Sequence, residues 1–168
     1  MTAPLPQKIR HFLVAAFAAL LAACQSMPAP AGFTPAQIAA LQSQGFVETD
    51  LGWALSMPER LLFPSNESAL PAEQQQRIGD IAAKLVSVGI TTARVEGHTD
   101  STGTSAYNLT LSQARAQAVA GPMQANGMRF TADQIVGRGE TLPLSSNATP
   151  EGRQDNRRVV VIVAPQPQ

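Results

Sequence analysis

Asp100 and Arg115 are an acid and a base fifteen residues apart, one in a turn-rich loop and the other in a helical pattern. They suit either an ion pair that braces the loop or a site that presents opposite charges. Glu96 and His98 fall on the same side of one strand pattern. Together with a serine, His98 would supply the nucleophile and base of a hydrolase; the paired acids Glu96 and Asp100 are the other hydrolytic option. A lone histidine is more simply a packed or loop-bonded residue, and no enzymatic activity is expected. Cys24 is the one cysteine, which excludes an internal disulfide framework and a multi-cysteine zinc site. Only His98 lies beyond the first 23 residues among the histidines, so neither a metal centre nor another cofactor is expected.

Charge narrows the partners. The 168 residues carry 12 basic and 12 acidic side chains. Lys8 and Arg10 account for two of the positives, leaving 10 against 12 in the remainder. Nucleic acid would demand a dense basic surface, and none is present in the composition. With 44% hydrophobic and 14% charged residues, the chain is globular and suits one domain with appendages. Lys8, Arg10 and His11 precede an apolar run from Phe12 to Ala23. Twelve residues are too few to span a bilayer, which takes about 20 helical residues, but they suit the core of a secretory signal. Leu21-Ala22-Ala23-Cys24 resembles a bacterial lipobox. That resemblance implies lipid, palmitate included, on Cys24 as the mature N-terminus, and Gln25 implies sorting to the outer membrane. Acyl chains gain about 0.8 kcal/mol per buried methylene, so several together anchor without spanning.

The elements that must position the charged residues follow. Residues 24–33 form a lipidated end and a Pro-rich tether. Residues 34–46 form an amphipathic lead-in helix, with Thr34 as cap, Pro35 at its first position, Ile38 and Leu41 on one face, and Gly45 as its stop. The domain proper covers 47–168. Val47–Thr49 and Trp53–Met57 read as strands around a turn at Asp50-Leu51-Gly52, and Leu61-Leu62-Phe63 as a short extended piece. Ile78, Ile81, Leu85 and Val88 recur at helical spacing from Pro71 to Val88. Thr92–Gly97 is a strand and Thr99–Ala106 a loop. A second helix runs from about Tyr107 to Ala120, with Leu111, Ala114, Ala118 and Val119 as its apolar side. Pro122 is expected to kink or end it. One helical turn at Thr131–Gln134 leads to a strand at Ile135–Gly137, a short helix opens at Thr149-Pro150, and Val159–Val163 makes a central strand. The order β-α-β-α-β-(α)-β is an α/β two-layer sandwich of the α+β kind, with helices over a four-stranded mixed sheet.

Val95-Glu-Gly-His-Thr-Asp-Ser-Thr-Gly103 is followed by Asn108-x-x-Leu111-Ser112-x-x-Arg115-Ala116, then Gly137-Arg-Gly-Glu140, then Gly152-Arg-x-x-Asn156-Arg-Arg-Val159. In this order they resemble the OmpA-like peptidoglycan-binding domain. The resemblance implies non-covalent binding to the diaminopimelate of uncrosslinked stem peptides, linking outer membrane to cell wall. It makes Asp100, beside Thr99, the acceptor of the ligand ammonium, Arg115 the partner of its carboxylate, and Leu111 an apolar wall. Asn66 stands at a family ligand position where an acid is also found. A guanidinium fork can hold a carboxylate through two parallel hydrogen bonds. Arg157 and Arg158 point to opposite faces if they begin a strand, so that one can brace the carboxylates of the site. The lead-in and the lipobox further resemble the YfiB-type outer-membrane lipoproteins. That implies an alternative role, the sequestering of a periplasmic inhibitor of a diguanylate cyclase. The short tether and the lead-in helix supply a physical route to it, a partner surface around Ile38, Leu41 and Trp53 that opens if the helix peels away from the domain.

Overall fold

A computed structural model describes residues 32–64 and 67–165. Helix α1, Pro35–Ser43, starts as its sequence requires: Gln37 N donates to Thr34 Oγ1 while Thr34 N donates to Gln37 Oε1, a reciprocal pair that satisfies two otherwise orphaned donors. Gln37 Nε2 then reaches Val88 O at 3.2 Å, tying α1 to the end of α3, Ala72–Ser87. Leu41 has no exposed surface, and Trp53 belongs to the same buried cluster. The surface expected around them is therefore closed in this structure.

The sheet is built from β1, Val47–Thr49, β2, Gly52–Pro58, β3, Arg94–His98, β4, Ile135–Gly137, and β5, Arg158–Val163. Their order is β1-β2-β5-β3-β4. It is mixed, as expected: β5 runs antiparallel to both neighbours and β3 pairs parallel with β4. It has five strands rather than four because Val47–Thr49 folds back on Gly52–Ala54 and adds an exposed edge. Along β5, Val159, Val161 and Val163 are buried under the helices while Val160 and Ile162 are half-buried on the other face. The core joins these valines to Ile78, Ile81 and Leu85 of α3 and to Val119 and Met123 of α4, Ser105–Ala125.

Three local expectations give way to tertiary packing. Leu61 and Leu62 are not extended: Glu59–Leu62 is one turn of helix, α2, and only Phe63 is extended. The turn buries Leu62 and Phe63 together while leaving Leu61 outside. Helix α4 does not stop at Ala120 but carries Pro122 inside and ends at Ala125. Proline removes the bond to the Ala118 carbonyl, yet that carbonyl lies on the half-exposed side of the helix, where water can satisfy it. Burial of Met123 in the next turn keeps the helix going.

The buried face of α4 is also rotated from the apolar stripe. Asn108, Ser112, Arg115, Ala116, Val119, Ala120 and Met123 face inward, whereas Leu111, Ala114 and Ala118 are only half-buried. The cause is close approach of backbone. A Cβ on Gly97 would stand 2.0 Å from Ser112 O, and one on Gly137 would stand 2.5 Å from Gln113 N. Two strands without side chains at these points let the polar first half of α4 lie directly on the sheet. Short side chains can line that contact because Ser112 Oγ accepts from Gly139 N and Gln113 bonds Gly137 N and Ile135 O. Gly97→Ala must push α4 off β3, and we expect it to cost about 2–3 kcal/mol. Urea denaturation of the variant checks this. A loss under about 1 kcal/mol would mean that the helix seat is compliant.

Candidate functional site

His98 and Pro58 both pair with Arg158 across the sheet. The end of β2, the start of β5 and the end of β3 therefore share one edge, and the residues just beyond them leave it together. Glu59 opens α2, Arg157 ends α5, Pro150–Asn156, as its C-cap, and Asp100 begins the loop to α4. Arg115 reaches the same place from α4. The result is an open pocket of about 490 Å³ lined by Thr99, Asp100, Leu111 and Arg115 together with Glu59, Phe63, Tyr107 and Arg157. Asn66 and Cys24 lie outside the described residues.

Asp100 and Arg115 share the pocket without pairing to each other. Asp100 Oδ1 accepts from Thr102 N at 2.8 Å, and Oδ2 accepts from Arg157 Nη1 at 2.5 Å. Arg157 Nε stands 2.9 Å from Glu59 Oε2, an ion pair bent away from hydrogen-bond geometry. Glu59 Oε1 accepts from Arg115 Nη2. The charges thus alternate along Asp100, Arg157, Glu59 and Arg115. Arg115 is held further by the Glu67 carbonyl, which accepts from Nε and Nη2 at 3.4 and 3.2 Å, and by the Phe63 ring, whose centre is 5.3 Å away. Asp100 is 7% and Arg115 3% exposed, so both charged ends sit on the pocket floor rather than at its rim.

Titration follows from these partners. Burial alone would raise the Asp100 pKa, but the Thr102 amide and Arg157 outweigh it and hold the carboxyl below its ordinary 3.8. Asp100 is therefore an anion throughout the neutral range. His98 behaves oppositely to a histidine that gains a partner. Burial, then the charge of Arg158, pull it down to about 4 against the opposing pull of Glu96. It is neutral at pH 7, with Nδ1 buried and unpartnered among the described residues. It is packed as expected, but not loop-bonded.

The remaining motif residues hold loops. Glu140 accepts from Ser105 Oγ and Asn108 Nδ2 at the start of α4. Asn156, fully buried, accepts from Leu144 N and Ser145 N and donates to Ser145 O and Asn147 Oδ1. Arg157 and Arg158 do diverge: Arg158 turns away to Asn156 O and Leu142 O. The acid–histidine pairing that a hydrolase would use is elsewhere. Glu96 is held by Arg94 and Arg138, His98 Nε2 is 3.8 Å from it, and neither lines the pocket. Sequence reasoning missed Glu59. The available signal was charge balance, since two motif arginines converging on one aspartate call for a second acid.

A mixed sheet of this order, with a long helix seated on its glycines and a charged pocket at one strand edge, places the chain in the OmpA family, whose family model matches residues 62–157. Among relatives, it is 43% identical over 146 residues to the lipoprotein YfiB of Escherichia coli, covering 86% of this chain and 89% of that one. It is 38% identical over 164 residues to the outer-membrane lipoprotein YfiB of Pseudomonas aeruginosa, covering 95% and 98%. Among solved structures, the cell wall anchor of the T6SS from Pseudomonas aeruginosa superposes with a TM-score of 0.59 at 31% identity, over 78% of this chain and 95% of that one.

Two outcomes test these electrostatics, one in the charge chain and one at His98. Glu59→Ala leaves the buried Arg115 guanidinium without a counter-charge and is expected to cost about 2–4 kcal/mol, read by chemical denaturation at pH 7. For His98, the folded pKa lies below the unfolded one, so the unfolded chain takes up the proton first. Its contribution is complete above 6.5 and declines as pH falls to about 4, by at most about 3 kcal/mol. His98→Gln should flatten the stability-against-pH curve in that window. An unchanged slope would show that His98 does not titrate there.

Proposed function

We propose that this protein binds peptidoglycan non-covalently through the diaminopimelate side chain of uncrosslinked stem peptides, and that lipid on Cys24 tethers it to the outer membrane, facing the periplasm. In this reading Asp100 takes the ligand ammonium and Arg115 its carboxylate. The observation that carries it is an acid and a base on one pocket floor, each held by a counter-charge other than the opposite member. The free end of diaminopimelate is a zwitterion, and its receptor must keep two opposite charges apart. A direct Asp100–Arg115 pair would satisfy both side chains and leave little for a ligand.

The surroundings fit the same ligand. Leu111 is half-buried on the pocket wall, where it can pack the methylenes between the two ends of the amino acid. Thr99 lines the pocket with its Oγ1 buried and without a partner among the described residues. The solved neighbour named as a cell wall anchor and the relative named as an outer-membrane lipoprotein support the wall and the membrane halves of the reading respectively. The chemistry is binding alone, because no step in it calls for Glu96 or His98.

Hydrogen bonds to charged groups contribute roughly 1.5–3 kcal/mol each, and association entropy offsets much of the sum. A free stem peptide should bind with Kd on the order of 0.01–1 mM. A membrane tether beside a polymer with many stems converts such weak contacts into retention. Asp100→Asn and Arg115→Lys should each weaken stem-peptide binding at least about tenfold and abolish co-sedimentation with purified sacculi, while cooperative melting persists. Wild-type binding should hold from pH 7 down through pH 5 and decline only below the ordinary aspartate value of 3.8. Variants that still sediment with sacculi would sink the assignment.

A further inference from the structure

Six charged side chains line the pocket, and they do not balance. Arg60, Arg115, Arg153 and Arg157 stand against Glu59 and Asp100, in a chain whose formal charge is zero. Arg115 and Arg157 are matched by the two acids. Arg60, on α2, and Arg153, on α5, have no carboxylate within ion-pair distance among the described residues. Glu151 and Asp155 share an adjoining hollow with Arg60 but stand outside that distance. Arg153 gives one Nη1 hydrogen to Asn147 O at 2.9 Å, which orients the guanidinium and leaves its other donors free of protein partners among the described residues.

We propose that Arg60 and Arg153 form a second anion position, which selects stem peptides carrying a further free carboxylate next to the zwitterionic diamino acid. The inference rests on the stem-peptide reading above. A zwitterion has no net charge and needs only one cation and one anion. A pocket with two surplus guanidiniums disfavours a neutral or cationic ligand and favours one with a net negative charge. In a stem of L-alanine, γ-linked D-glutamate and diaminopimelate, that carboxylate belongs either to the glutamate or to the C-terminus of the diamino acid. Amidation removes the charge from either group and keeps the shape of the peptide.

The test uses the full chain in detergent and three synthetic tripeptides of that sequence: unmodified, amidated on the glutamyl carboxylate, and amidated at the C-terminus. Calorimetric titration should show that one amidation weakens binding about tenfold, identifying the carboxylate that is read. Arg60→Gln or Arg153→Gln should bring the unmodified peptide down to the amidated level and leave the amidated peptide unaffected. Lysine at either position should restore part of the preference. Equal affinity of the wild type for all three peptides would overturn the proposal, as would a preference that survives in both glutamine variants. Failure of every peptide to bind the wild type would instead remove the stem-peptide reading, and this inference with it.

Discussion

The alternating row of charge from Asp100 through Arg157 and Glu59 to Arg115 is the interaction on which the site depends. Four charged groups are brought to one pocket, and its two buried members, Asp100 and Arg115, would be costly to desolvate as isolated charges. Each is tolerable because its neighbours in the row carry the opposite sign. The row also does something that a simple pair would not. It separates the terminal acid from the terminal base and holds each in place through a counter-charge other than the opposite member. The net depression of the Asp100 pKa, against the opposing effect of burial, comes from the Thr102 amide first and from Arg157 of the row second.

The fold exists around that row in a specific way. Two strands end and a third begins at one edge because β5 pairs antiparallel with both β2 and β3, and this register delivers Glu59, Arg157 and Asp100 to the same place. The fourth member comes from a helix whose height above the sheet is set by Gly97 and Gly137. Backbone contact there leaves no slack for α4 to rise or roll, so Arg115 enters the pocket floor while Leu111 turns to its wall. Loops are tied by buried amide side chains: Asn108 bonds both Asp100 O and Glu140, and Asn156 bonds the loop at Leu144, Ser145 and Asn147. The core, from Leu41 of α1 to Met123 of α4, supplies stability and meets the charges at Phe63, whose ring faces the Arg115 guanidinium.

A family resemblance therefore acquires physical content. Some residues of the ordered motifs line the pocket, and others seat the helix and hold the loops around it. Asp100, Thr99, Leu111, Arg115 and Arg157 are of the first kind. Gly97, Gly137, Glu140 and Asn156 are of the second, and Asn108 is of both, since it lines the pocket and bonds Asp100 O and Glu140. Glu59 stands outside every motif and yet joins the two halves of the site.

What the chain determined by itself was local. Helix α1 was legible because its cap is a short-range hydrogen-bond pattern, α3 because Ile78, Ile81 and Leu85 repeat at helical spacing, and β5 because a β-branched run admits few alternatives. Asp100 and Arg115 were legible as an acid and a base in the right kinds of element. Only the tertiary structure decided the rest. Leu61 and Leu62 became helical because burying Leu62 and Phe63 together outweighed the extended pattern. Helix α4 passed Pro122 because one lost hydrogen bond, at the half-buried Ala118, is cheaper than exposing Met123. Its inward face became Asn108, Ser112 and Arg115 because glycines in distant strands admit its backbone. Glu59 met Arg115 across 56 residues of sequence separation, a contact with no local signature, since nothing near either residue records which strand ends will share an edge.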